Sequence, residues 1–200
     1  GIFMNRILKH AISGMVCVSI TLCGIYTAHA YAIMSAGGFS PYPTKIVSSN
    51  GFASAVNSAI SSSCSAWNSA GVGTLVTRSS QTHSNSSFPL KNSANQITAT
   101  NKGVTGQIML TNLTQVKVSG LTRYNTEVDI NINTSYPWAT NGDSRAYDVQ
   151  NCFTHELGHL LGLDDEVSKS SSTMYMQASI GETAKRTLAA DDINGLKAIY

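Results

Sequence analysis

The eleven residues from His155 to Asp165, HELGHLLGLDD, constrain the chain more than any other stretch. His155 and His159 are four apart, and residues at that spacing share one face of an α-helix, so two imidazoles can be aimed at one point. A helix running past Gly162 would carry later side chains away from that point. Glycine adopts the left-handed conformation that ends a helix and turns the chain back. The returning chain then presents Asp165 from the opposite side. Its neighbours Asp164 and Glu166 carry the same chemistry, although the register favours Asp165.

Two imidazoles and a carboxylate suit zinc, which takes nitrogen and oxygen donors tetrahedrally and has no redox chemistry to manage. Glu156 lies about a hundred degrees round the helix from His155. It is badly placed to bind the same ion squarely, yet within reach of a water beside it, which is the separation a general base needs. Beyond residue 30 the chain has three histidines, two of them at this spacing. The third, His83, falls in a polar stretch and reads as a solvated bystander. Closed structural zinc sites fill all four positions with protein ligands. Three ligands and a free glutamate leave one position open, so a hydrolytic centre is favoured over a purely structural zinc site, the alternative reading.

The first 30 residues read as an address. MNRILKH, from Met4, is a basic segment, AISGMVCVSITLCGIY is apolar, and Ala28–Ala30 (AHA) has the small-x-small pattern that signal peptidase accepts. Residues 1–30 are therefore expected to be a signal peptide with a short N-terminal extension, and residues 31–200 one catalytic domain. The product is expected to be secreted, or periplasmic, and monomeric, with no membrane attachment after cleavage. Of the 13 Lys and Arg, only Arg6 and Lys9 lie in the leader, so the body balances 11 basic against 11 acidic side chains. That neutrality argues against nucleic acid and anionic membrane surfaces as partners. In an oxidising compartment the two remaining cysteines, Cys64 and Cys152, are expected to form a disulfide joining the first helix to the start of the metal-binding helix.

Periodicity predicts a strand at TKIVS, a helix from Phe52 to Trp67 and a strand at GTLVTRS. A polar loop from Ser79 to Ser87 should follow, then two or three strands among GQIMLTN, TQVKVSG and TEVDININ. A long helix should begin near Ala146 or Asp148 and end at Gly162, and a last helix should run from Ala189 to Tyr200.

HELGHLLGLDD resembles the elongated zinc motif of the metzincins, HExxHxxGxx followed by His or Asp. STMY around Met174 resembles the Met-turn, and LAADDINGLKAIY resembles the closing helix of the matrixins. EVDININTSYPW and AYDVQNCFTHELGH are similar to the approach strand and helix of bacterial matrixin-type proteases. The likeness covers most of Lys45 to Tyr200 and is densest after Glu127. Tyr175 follows Met174 directly, whereas astacins and serralysins place a metal-approaching tyrosine where this chain has Met176. Aspartate at the third position is the rule in the snapalysin branch. The loop that carries a structural zinc and calcium in typical matrixins has no counterpart, so one catalytic zinc is expected.

The resemblance implies an α+β domain: a twisted, mostly parallel sheet with an antiparallel edge strand, two long helices, and a small C-terminal subdomain ending in a helix. It implies zinc on His155, His159 and Asp165, Glu156 as catalytic base, Met174 as a hydrophobic floor, and a zinc endopeptidase acting on protein or peptide substrates.

Overall fold

The computed structural model describes residues 15–16, 31–35, 37–120 and 122–200. The expected leader lies outside the described residues except for the two-residue strand β1 (Met15–Val16), which pairs antiparallel with β9 (Gln177–Ala178).

Five strands form the main sheet, in the order β3-β2-β4-β6-β5. β2 (Thr44–Ser49), β3 (Val76–His83), β4 (Asn95–Thr100) and β6 (Thr122–Asn133) run parallel, and β5 (Met109–Ser119) lies antiparallel to β6 at one edge. Helix α1 (Ser54–Asn68) packs on β3, α2 (Val149–Leu160) packs on β5 and β6, and the two helices pack on each other. Short strands β7 (Trp138–Ala139) and β8 (Tyr147–Asp148) lead into α2, and α3 (Ala190–Ile199) closes the chain.

Alternation along β6 explains how the sheet is covered on both faces. Val128, Ile130 and Ile132 join the hydrophobic core, while Glu127, Asp129, Asn131 and Asn133 take the other side, as a period of two requires. These four are also buried, so each must find partners. Glu127 accepts from the Asn92 amide at 2.6 Å, and Asp129 accepts from the amides of Leu90 and Gln96 at 2.9 and 3.1 Å. Asn131 accepts from the hydroxyls of Thr98 and Thr100, and Asn133 from the Lys102 amide. The polar connections on either side of β4 are thereby sewn to the sheet. Burial is what pushes the Asp129 carboxyl above its ordinary pKa, against the hydrogen bonds that favour its charged form.

Three elements depart from the sequence expectation. β3 continues through the polar run as far as His83, because β2 pairs with it at Ser48–Thr82 and Ser49–His83. An edge strand needs no apolar outer face. β4, NQITAT, was not anticipated: it is a buried central strand whose polar side chains bond across it, Asn95 to Thr44 and to the Val128 amide. GQIMLTN and TQVKVSG are largely one edge strand, with its register shifting around Gln115, as at a β-bulge.

The expected disulfide is also corrected. Cys64 and Cys152 are both free thiols buried in the core. Burial pushes the Cys64 thiol up to about 12 and raises that of Cys152 as well, which keeps both in the unreactive protonated form. In the folded protein these two cysteines should resist a thiol-specific reagent and react only on unfolding. Fast modification of either under native conditions would contradict this burial.

Candidate metal centre

Helix α2 starts on Asp148, whose side chain accepts from the Asn151 amide at 2.9 Å and caps the helix N-terminus. The helix stops at Leu160. Gly162 then takes φ +100°, its amide bonds to the His159 carbonyl at 3.0 Å, and the Leu163 amide bonds to that of Gly158 at 2.9 Å. This is the paired hydrogen-bond pattern of a Schellman stop. A Cβ at Gly162 would also lie 2.5 Å from the Gly37 carbonyl oxygen, so the N-terminal segment closes against the turn.

The reversal brings three ligand atoms together. His155 Nε2 and His159 Nε2 are 3.1 Å apart, and Asp165 Oδ1 lies 3.2 Å from the first and 3.5 Å from the second. A tetrahedral ion with bonds of about 2.0–2.1 Å has donor atoms roughly 3.3–3.4 Å apart. The three edges, at 3.1, 3.2 and 3.5 Å, lie close to that range. This is the one grouping of metal-ligating side chains found among the described residues. Asp164 and Glu166 face elsewhere: Asp164 accepts from the Asp165 amide, and Glu166 accepts from the Ser168 amide and hydroxyl. His83 bonds to the Ile97 carbonyl and lies outside the cluster; it is half-buried rather than solvated.

The outer hydrogen bonds determine which nitrogen faces inward. His155 Nδ1 lies 2.9 Å from the Thr173 carbonyl, and His159 Nδ1 lies 2.9 Å from the Leu163 carbonyl. A carbonyl can only accept, so both Nδ1 atoms carry hydrogen, and in the neutral rings both Nε2 lone pairs point into the cluster. Two lone pairs and a carboxylate oxygen at such distances attract a cation. Burial by itself would lower the His159 pKa, but the Asp165 carboxylate, with help from Glu156 and the Leu163 carbonyl, outweighs it and pushes the group up to about 9. Burial likewise works against the charged form of Asp165, yet the two histidines hold its carboxyl well below the usual range.

Asp192, Lys185 and Arg186, which the sequence did not single out, help to hold this frame alongside Met174. Asp192, from α3, accepts from the Ser172 hydroxyl and from the amides of Thr173, Met174 and Ala189. It pins the turn whose Thr173 carbonyl orients His155. Met174 is buried against Gly158, where a Cβ would stand 2.1 Å from its sulfur and 2.9 Å from Trp67. Trp67 in turn donates to the Thr154 carbonyl at 2.8 Å. Lys185 is buried and donates to the carbonyls of Tyr175 and Gln177, while Arg186 pairs with Asp148. These contacts tie the segment after Met174 back to α2. Glu156 is buried too, with Oε2 accepting from the Thr111 hydroxyl at 2.6 Å.

Two outcomes are expected. Gly158→Ala should destabilise the protein by about 1–3 kcal/mol, read from denaturant unfolding, because the added methyl has no space. Asp165→Ala should weaken zinc binding at least about 100-fold. In the parent, zinc affinity should climb with pH towards about 9, where His159 gives up its proton, as titration calorimetry would register.

Residues 108–200 match the family model of the matrixins, a stretch that begins just before β5 and takes in α2, the cluster, the Met174 turn and α3. No curated protein matches the chain at a significant level. With the mostly parallel sheet, its antiparallel edge strand and the helix reversal at Gly162, this match supports a matrixin-like metzincin fold and a zinc metallopeptidase kind of function.

Proposed function

We propose that the protein is an exported zinc endopeptidase, with residues 1–30 as its leader and residues 31–200 as a monomeric, secreted or periplasmic catalytic domain. His155, His159 and Asp165 hold one zinc ion. The observation that carries this reading is the packing of their three donor atoms at 3.1–3.5 Å, with a buried carboxylate one residue from the first ligand. Zinc held there supplies a Lewis acid, which acidifies water and stabilises negative charge on the scissile carbonyl oxygen.

The chain's own groups do the rest. Glu156 takes a proton from the attacking water as the water oxygen bonds to the carbonyl carbon. It then passes that proton to the amine nitrogen as the C–N bond breaks. No serine or cysteine nucleophile is needed, which agrees with Cys64 and Cys152 being buried and protonated. The substrate is an extended protein or peptide segment that adds to β5, the edge of the sheet lying beside α2, through backbone hydrogen bonds.

Glu156→Gln should keep its zinc and lose roughly 10²- to 10⁴-fold in kcat, measured on a peptide library with metal content quantified in parallel. A chelator should abolish cleavage and added zinc restore it. Should the glutamine variant cleave as fast as the parent, Glu156 is not the base.

A further inference from the structure

Glu156 does not stand alone in its pocket. Thr111, on the edge strand β5 and itself buried, places its hydroxyl oxygen 2.6 Å from Glu156 Oε2 and 3.2 Å from the Glu156 backbone carbonyl. A hydroxyl has one hydrogen to give, and the shorter, charge-assisted contact takes it. Among the described residues the hydrogen bond to the Glu156 carboxylate is made at Oε2. The two oxygens are thereby distinguished, with Oε2 tied down by the Thr111 hydroxyl. From this geometry we infer that Thr111 is a positioning residue for Glu156. The inference rests on the reading of Glu156 as general base.

Two features suit threonine to this task. Its β-branched side chain is stiff at χ1, so a strand position in register with Ile130 of β6 gives the hydroxyl a fixed direction. The hydroxyl is also neutral. It steadies the carboxylate without the charge of a lysine or arginine, which would bind the base's negative charge and blunt it as a proton acceptor. Because β5 is the strand proposed to carry the substrate, the contact also links the base to the peptide's register. Base and scissile bond would then keep one relative position, and small errors in that position cost rate steeply.

The test compares zinc-loaded Thr111→Val and Thr111→Ser with the parent, on a peptide that the parent is shown to cleave. Thr111→Val keeps the shape and removes the hydroxyl. It should lower kcat roughly 10- to 100-fold while KM and zinc content stay close to parental values. Thr111→Ser keeps the hydroxyl and should return kcat to within about threefold of the parent. On the Glu156→Gln background, Thr111→Val should add little further loss, as expected of two residues acting through one step. Crystal structures supply a readout independent of turnover: the Glu156 carboxylate should leave its position in Thr111→Val and keep it in Thr111→Ser. If valine does not fold there, the contrast between Thr111→Ala and Thr111→Ser reads the same property. A valine variant with parental kcat, or one in which Glu156 has not moved, overturns the inference and leaves the endopeptidase reading intact. A parent that cleaves nothing, or a Glu156→Gln variant as active as the parent, overturns that reading and takes this inference with it.

Discussion

Two imidazole lone pairs and a carboxylate oxygen held within 3.5 Å of one another resist being brought together. Each is electron-rich, each is largely removed from bulk water, and a cation among them, a metal ion or the proton that His159 holds up to about pH 9, relieves the repulsion. Much of what surrounds the cluster serves to keep the three in place. The Thr173 and Leu163 carbonyls hold the rings by their outer nitrogens, so that neither imidazole can turn its lone pair away. The stop at Gly162 brings the carboxylate to the rings, because the chain reverses there within a single residue.

That arrangement is supported from the far end of the chain. Asp192 gathers three backbone amides and a hydroxyl onto one buried carboxylate, and so fixes the turn from Ser172 to Met174. The turn presents the Thr173 carbonyl to His155 on one side and the Met174 side chain to Gly158 on the other. Closing helix α3, turn and α2 therefore form one mechanical unit. The absence of a side chain at Gly158 allows Met174 and Trp67 to reach the helix backbone together. On the opposite flank the Thr111 hydroxyl joins that helix to the sheet edge, at the residue after His155.

How far the sequence could be read depended on whether a feature was local. The helix spacing of His155 and His159, the break at Gly162 and the apolar alternation of β6 all express rules that act over a few residues, and all were legible. β4 was not, because NQITAT looks like a polar connection until Thr44, Val128 and Asn131 are in place to satisfy it. The polar half of β3 was missed for the same reason, since only its pairing with β2 makes it a strand. Cys64 and Cys152 were misjudged because counting cysteines says nothing of the core that buries each thiol.

By itself the sequence determined the helix that carries His155 and His159 and its stopping point, since periodicity and the conformational freedom of glycine need no partner from elsewhere; the class of fold followed from the resemblance to the metzincins. It left three adjacent carboxylates open at the returning chain. Tertiary structure decided among them, turning Asp165 towards the imidazoles and giving Asp164 and Glu166 to nearby backbone amides. It alone set Asp192 beneath the turn and Thr111 against Glu156, contacts that span 18 and 45 residues of chain. Such contacts leave no pattern in the sequence, because what specifies them is the packing of α3 and β5 against the rest of the fold.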